Sequence, residues 1–561
     1  MKGSYILMES LKAEGVDTIF GYPGGSIIPV FDALYDYKDT FNYQLFRHEQ
    51  GASHAAEGYA RTSGKVGVCI VTSGPGATNA ITGISDAMMD STPMVVIAGQ
   101  VGAAALGTDA FQEIDMVGIT QPITKWSYQI RRAEDVAFAV ARAFYIASTG
   151  RPGPVVLDFT KNAQNEEADF SYKKCFFTRG YVPTPDIDLD QIKMAAKLIS
   201  EAKRPLALVG QGVILGGAEK ELMQFLKKTD TPAASTLLGL SAMPTDFPLN
   251  KGFLGMHGNI APNMKTNECD VLIAIGMRFD DRVTGDLKTY AKQAKVIHLD
   301  IDPAEVDKNV KATVKVLGDV KTTLPMLTER VSEAKHSDWI DSFKTYEEKE
   351  MRSVIKNAIT PENGPLKMGE IVRKVSDATN REAVLVTDVG QNQMEAARYF
   401  QYKYTRSIVT SGGLGTEGFG LPAAIGAKIG APNRTVCLFV GDGGFQMNIQ
   451  ELGTIMQSNV GVKIILLNNN YLGMVRQWQE LFYQKRYSST ELMNPDFNKI
   501  ADAYGIANRL VDKREYLDQA ISEMLQDDKP YLLVANVEEE GMVYPMTPAG
   551  DTVTNILTPE Q

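Results

Sequence analysis

Apolar and polar positions alternate along the chain in blocks. Short apolar runs rich in β-branched residues, among them VGVCIVT (66–72), VLIAIG (271–276), AVLVTD (383–388) and VKIILLNN (462–469), are separated by longer segments whose apolar residues recur at helical spacing. Runs of this length without a polar residue at every second position read as strands covered on both faces. Strands alternating with helices predict an α/β fold of doubly wound parallel sheets. Two stretches break the alternation, residues 162–189 (NEEAD, YKK, PTPD) and residues 335–365 (YEEKEMR, PENGP). Both are polar or charged without a helical period and read as linkers. They divide the chain into three domains of ordinary size, over 1–165, 188–335 and 362–545.

Composition adds exclusions. At 561 residues, 44% apolar and 22% charged, the chain can bury a core in each domain, which excludes disordered and fibrous classes. Acidic residues outnumber basic ones 68 to 57, and the net charge of -11 repels a phosphate backbone, which argues against a nucleic-acid partner. Cys69, Cys175, Cys269 and Cys437 lie far apart without paired spacing, as thiols in a reducing compartment do. The amino-terminal MKGSYILMESLKAEG meets Glu9 and Lys12 before any long apolar stretch, and no later run approaches the roughly 20 residues of a membrane helix. A cytoplasmic protein without a membrane segment is expected.

The candidate chemistry lies in glycine loops. Gly413, Gly415 and Gly418 in GGLGTEGFG spell GxGxxG, but the acidic residue that a dinucleotide fingerprint wants about 20 positions on, at the end of a second strand, is missing. GYARTSGKV has the wrong spacing for a phosphate loop. A stronger pattern joins VCLFV, ending in GDGG (441–444), to VKIILL, ending in NNN (468–470), with Asp442 and Asn469 27 positions apart. At the carboxyl ends of adjacent parallel strands this carboxylate and amide oxygen are two hard ligands for magnesium. The glycines let diphosphate oxygens approach the backbone, and a helix expected over about 448–457 points its amino terminus there. GDG followed at this distance by NN resembles the thiamine diphosphate motif. That cofactor also needs a buried carboxylate against its aminopyrimidine ring. Glu49 is the candidate, between the strand YQLF and a helix with Ala52, Ala55, Ala56 and Tyr59 on one face. His48 and His54 beside it read as structural hydrogen-bonding groups.

The first and third domains also resemble each other. Ala55, Ala56, Gly58, Val68, Cys69 and Gly76 match Ala423, Ala424, Gly426, Val436, Cys437 and Gly444 at a single offset of 368 positions. This predicts a duplicated helix, strand and glycine-loop unit, with a cofactor shared between the two copies.

GYPGGSIIPVFDAL, RHEQGASHAAEGYAR, VTSGPGATN, GTDAFQE, GRPGPV, LGMHG, RFDDRVTG, HLDIDPAE, GDGGFQMNIQEL and NNNYLGMVRQWQELFY follow one another in that order. Over about residues 4–546 the chain thereby resembles the catalytic large subunits of the biosynthetic acetohydroxyacid (acetolactate) synthase family, most specifically in GTDAFQE, RFDDRVTG and MVRQWQ. The resemblance implies a pyrimidine-binding first domain, a central FAD-binding domain, and a third domain holding diphosphate and magnesium. It further implies active sites at the interface of a homodimer or tetramer and a small regulatory subunit as partner. Tyr22, Pro23, Gly24, Glu49, Thr72, Pro75, Asn79 and Gln112 would line the pyrimidine, and Val389, Gly390, Gln391, Gly415, Gly443, Gly444, Gly473 and Met474 the diphosphate side. Asp442, Asn469 and the carbonyl of Tyr471 would bind magnesium. A structural FAD would contact Arg151, Gly210, Gly212, Thr236, Leu237, Leu254, Gly255, Met256, His257, Gly276, Arg278, Asp280, Arg282, Val283, Asp300, Ile301, Asp319 and Val320.

The implied reaction decarboxylates pyruvate and joins the remaining two-carbon unit to a second 2-keto acid, pyruvate or 2-ketobutyrate, the first common step of valine, leucine and isoleucine biosynthesis. Glu49 would activate the cofactor with Gln112 nearby, Arg282 would hold the acceptor carboxylate, and Trp478, Met474 and Phe111 would form the apolar wall that selects it. Two other readings are a catabolic synthase or pyruvate oxidase-like enzyme, against which Trp478 and RFDDRVTG stand, and a non-catalytic cofactor-binding homologue. The latter arises from Glu417, which occupies the family's methionine position under the cofactor. A carboxylate against the thiazolium would stabilise the cation and oppose loss of the C2 proton. Gly102, Asn392 and Gly444 depart from the family pattern more mildly.

Overall fold

In the computed structural model, which describes residues 1–559, three six-stranded sheets follow one another along the chain. The first contains β1 (Thr18–Gly21), β2 (Asn42–Leu45), β3 (Gly67–Val71), β4 (Met94–Gln100), β5 (Trp126–Ile130) and β6 (Pro154–Thr160). The second contains β7 (Pro205–Val209), β8 (Ala233–Ser235), β9 (Asn250–Phe253), β10 (Val271–Ile275), β11 (Lys295–Asp300) and β12 (Val314–Leu317). The third contains β13 (Val384–Thr387), β14 (Ile408–Val409), β15 (Val436–Gly441), β16 (Val462–Asn468), β17 (Ala507–Val511) and β18 (Tyr531–Asn536). Neighbouring strands pair in parallel, and the central ones are buried along nearly their whole length, as their unbroken apolar runs require.

Strand order separates the sheets into two kinds. The first runs β2-β1-β3-β4-β6-β5 and the third β14-β13-β15-β16-β18-β17, which is the same order. The second, read from its β9 edge, runs third, second, first, fourth, fifth, sixth, the order of dinucleotide-binding sheets. The shared order of the outer sheets bears out the duplication read from the sequence, and the offset of 368 carries on to β4 and β16, which begin at Met94 and Val462.

The two copies are held together by their helices. Glu49–Ser63 packs across Gly420–Gly430, and both are buried almost all round. A Cβ on Gly58 would lie 2.0 Å from the carbonyl oxygen of Ala423, and one on Gly426 would lie 1.8 Å from that of Ala55. These are the residues matched by the repeat, so the crossing has a local two-fold character. Phe20, Phe46 and Phe419 join one apolar core that runs through both units.

Of the two expected linkers, residues 166–188 form neither helix nor strand, although 161–165 is a short helix. The second expectation needs correction, because residues 337–359 are largely helical. Trp339, Phe343, Tyr346, Glu350 and Val354 recur every three or four positions, a period obscured in the sequence because one buried position is an acid. Trp339 donates its indole N–H to the carbonyl of Pro205 at 2.8 Å, and Glu350 accepts from Asn259 Nδ2 and the Ile260 amide while pairing with Arg398. Cys69, Cys269 and Cys437 are buried free thiols, and Cys175 is partly exposed. Among the described residues no helix is long and apolar enough to cross a membrane.

Gly58→Val and Gly426→Val should each destabilise the protein by at least about 2 kcal/mol, because neither backbone can withdraw from the other. Urea unfolding would register this as a lower midpoint, and unchanged midpoints would mean that the two helices can separate freely.

Candidate functional site

The third sheet brings the GDGG and NNN segments together. β15 and β16 are paired neighbours, so Asp442 and Asn469 emerge side by side at their carboxyl ends. The Asn469 side-chain amide stands 3.1 Å from Asp442 Oδ1 and 2.9 Å from the Tyr471 carbonyl oxygen. With its nitrogen there it donates to both. With its oxygen there, it stands from each of the other two oxygens at about the separation of adjacent ligands around an octahedral magnesium ion, about 2.9 Å for ligands at about 2.1 Å. Asn494 Nδ2 donates to Asp442 Oδ2 at 2.5 Å and also to Asn468 and Asn470, fixing the carboxylate from behind. Burial pushes the Asp442 carboxyl up, and that hydrogen bond opposes the push.

The helix expected over 448–457 is placed differently. Asp442–Met447 is already helical, a short 3-10 turn follows at Ile449–Glu451, and Leu452–Ser458 is the next α-helix. The helix therefore starts at the acid itself, where a carboxylate suits the first turn. Gly443 and Gly444 are required by packing rather than by loop conformation. A Cβ would meet Leu472 at 2.7 Å in the first case and Asp388 Oδ1 at 2.2 Å in the second. Gly473 likewise faces Gln391 Oε1, 2.1 Å from where its Cβ would stand. Gln391 donates to Gln477 Oε1 and to the carbonyl of Gly541.

Asp388 escaped the sequence reading. It ends the strand run AVLVTD, is fully buried, and accepts from the amides of Val389, Gly418 and Gly420 at 2.8–3.0 Å, tying the Gly390 turn to the GTEGFG loop. Burial pushes its carboxyl up to about 6, and the charge of Glu417 adds to that. Glu417 is half-buried, its own carboxyl is raised by burial, and it makes no hydrogen bond or ion pair among the described residues. Asn392 donates to the Val389 carbonyl, while Gly102 has open space around it.

At the first sheet, Tyr22 follows β1 and Thr72 follows β3, next to each other across that sheet's switch point. Glu49 opens the helix Glu49–Ser63, is 8% exposed, and accepts from Asn79 Nδ2 at 3.0 Å through Oε2. Its Oε1 faces Gly76, where a Cβ would come to 3.2 Å, and a Cβ on Gly24 would press on Thr72 at 2.5 Å. Pro75 opens the helical turn that ends at Asn79. Gln112, with a positive φ of 62°, packs its backbone against Gly74. Phe111 is 88% exposed and does not meet Trp478 within the chain. His48 caps its helix by accepting from the Gln50 amide, and His54 bonds Glu57 at 3.1 Å. His54, Glu57 and Asp86 lie within 4.8 Å of one another, but the guanidinium of Arg61 already reaches Glu57 and Asp90. Burial holds His54 down to about 3 and pushes Glu57 well up. Asp90 in turn accepts from the Gly412 and Gly413 amides, anchoring the GGLG loop.

Between the second and third sheets lies a cleft of about 820 Å³. It is lined by every central-domain residue singled out above except Gly210, together with Arg151, Val389, Gly390, Gly415, Met474 and Trp478. Gly210 sits behind it, and Cβ atoms on Gly210 and Gly212 would lie 2.2 and 2.7 Å from the Gly276 backbone. These contacts close the switch point between β7 and β10 into a bare-backbone cradle suited to a dinucleotide's phosphates. Around it Asp280 and Asp319 cap helices, Arg151 pairs with Asp302 and Glu305, and buried His257 leaves Nδ1 without a partner. The Arg282 side chain is exposed and touches only Asp281, at 3.3 Å. The pyrimidine-side residues do not line this cleft.

Three family models match in turn: thiamine pyrophosphate enzyme, N-terminal TPP binding domain over residues 1–119, central domain over 192–327, and C-terminal TPP binding domain over 388–535. Fold and site thus define a thiamine pyrophosphate enzyme. The chain is 45% identical to a probable acetolactate synthase large subunit of Methanocaldococcus jannaschii, covering 100% of this chain and 95% of that one. It is 44% identical to the acetolactate synthase isozyme 2 large subunit of Escherichia coli, covering 99% of each. With that of Lactococcus lactis it shares 43% over 98% of this chain and 94% of the relative. The chain belongs to the acetolactate synthase large-subunit family.

Because Asp388 is raised from the ordinary carboxylate range to about 6, the folded protein binds this proton more readily than the unfolded one between about pH 4 and 6, and stability falls as pH rises through that window. Glu417→Met removes a like charge as well as a second raised carboxyl. It should flatten that fall, so urea midpoints at pH 4.5 and 7 should converge. A slope equal to wild type would dissociate Glu417 from Asp388.

Proposed function

We propose that this chain is an acetolactate synthase catalytic subunit, which decarboxylates pyruvate and ligates the two-carbon unit to pyruvate or 2-ketobutyrate at the entry to branched-chain amino acid synthesis. The observation that carries the reading is the corner where the Asn469 side-chain amide meets Asp442 Oδ1 and the Tyr471 carbonyl, set in a chain alike over its whole length to acetolactate synthase large subunits. Asp442, Asn469 and the Tyr471 carbonyl would hold magnesium, and the glycines beside them would admit a diphosphate. Bound there, thiamine diphosphate supplies the electron sink that stabilises a carbanion.

The protein's share is orientation and proton control. Glu49, fixed by Asn79 through one oxygen and facing the bare Gly76 with the other, would hold a proton at Oε1 toward the aminopyrimidine. Met474 and Trp478 present an apolar face to the cleft, which sorts acceptors by bulk, and exposed Arg282 offers its fork to the acceptor carboxylate. The Gly210, Gly212 and Gly276 cradle would take FAD as a structural group, since the condensation has no net redox step. A homodimer or tetramer would complete each site from two chains, in keeping with the exposed Tyr22, Pro23 and Phe111. The relatives are named large subunits, which supports a small regulatory partner, and the absence of a membrane-crossing helix among the described residues supports a cytoplasmic setting.

Purified protein given thiamine diphosphate, magnesium, FAD, pyruvate and 2-ketobutyrate should yield acetolactate and acetohydroxybutyrate. Formation of neither, with no carbon dioxide released, would overturn the proposal. Glu49→Gln should lower carbon dioxide release by about 100-fold or more, and wild-type turnover would remove Glu49 from the chemistry.

A further inference from the structure

A second cavity, of about 100 Å³, lies on the far side of the helix Gln391–Tyr399. That helix is a wall common to both spaces. Gln393 and Met394 face the large cleft, whereas Gln391, Glu395 and Tyr399, four residues apart and so on one face, line the small cavity. Its remaining walls come from the helical segment around 354–358 and from the chain leaving β18.

The charges around the cavity do not balance. Lys367 Nζ lies 3.3 Å from Glu538 Oε2, and Arg398 is ion-paired with Glu350, so these four groups are accounted for. Glu395 is 9% exposed and makes no hydrogen bond or ion pair among the described residues. The Tyr399 hydroxyl is buried against the Arg398 guanidinium, and Tyr544 is kept neutral by burial. A buried carboxylate without a partner is costly and calls for a proton or a cation. Burial pushes the Glu395 carboxyl up to about 7, so a cation can displace the proton near neutral pH.

We propose that this cavity binds a small organic cation, a primary ammonium group on a short aliphatic body, with Glu395 as counter-ion. One carboxylate is too few for a divalent metal ion, which takes six or more oxygens. Val354, Ala358 and Val537 give the cavity an apolar side that suits alkyl carbons better than a hydrated ion. The volume is somewhat below the roughly 150 Å³ of an engineered cavity that admits benzene, so a body of three or four carbons fits. Gln391, which links the helix to Gln477 and Gly541, lies on the same face, so an occupant would brace the wall that the large cleft shares. The proposal rests on this cavity alone and not on the reaction assigned above.

The test is calorimetric titration of the purified full-length protein with propylammonium chloride at constant ionic strength. Wild type should bind it saturably at one site per chain, at least about tenfold more tightly than Glu395→Gln. Wild-type affinity should also drop as pH falls below 7, where a proton competes, which tests the idea even if a variant fails to fold. Equal binding by wild type and Glu395→Gln, heats reproduced by potassium chloride alone, or no saturable binding would overturn the proposal. In the last case Glu395 is simply protonated.

Discussion

The close crossing of Glu49–Ser63 and Gly420–Gly430 is the contact on which the rest of the architecture depends. Two backbones approach to a distance that excludes even a methyl group, at Gly58 and at Gly426, and the residues these glycines meet across the crossing are Ala423 and Ala55. Nothing at this point can slide or swivel without a clash, so the outer units are locked in one relative orientation. The same helix carries Glu49 in its first turn, while its partner begins two residues after Gly418, in the loop that Asp388 holds. Fixing the crossing therefore fixes both functional ends.

The functional groups obey a simple rule of parallel sheets, in which side chains that emerge at the carboxyl ends of neighbouring strands converge where the strand order reverses. Tyr22 and Thr72 do so in the first sheet and the Gly210, Gly212 and Gly276 cradle in the second, while in the third Asp442 and Asn469 leave neighbouring strands one position beyond the reversal between β13 and β15. Behind each point lies a polar support: half-buried Asn494 behind Asp442, half-buried Asn79 behind Glu49, and fully buried Asp388 behind the glycine loop. Such supports hold reacting groups in place against thermal motion.

The large features were legible because they depend on period and on residue type. Unbroken β-branched runs marked the central strands, and the offset of 368 marked the repeat. What escaped was decided by tertiary contact. The helical period of Trp339, Phe343 and Tyr346 was hidden in a stretch that read as a linker, because the acids among them looked solvated until Glu350 met Arg398 across the fold. Asp388 looked like an ordinary strand-end acid, because two of the three amides that give it its role, those of Gly418 and Gly420, are distant in sequence. GDGG read as a glycine loop, whereas both glycines after Asp442 lie in a helix, and at Gly444 a Cβ would collide with Asp388.

The repeat also has an arithmetic consequence. At the offset of 368, Gly74 stands where Asp442 does, and Val101, just after β4, stands where Asn469 does after β16. The first unit has kept the strand order but carries neither the acid nor the amide, so doubling the fold has not doubled this pair of oxygen groups. Each chain carries the Asp442 and Asn469 pair once, in its third sheet, and the Glu49 carboxylate once, in its first unit.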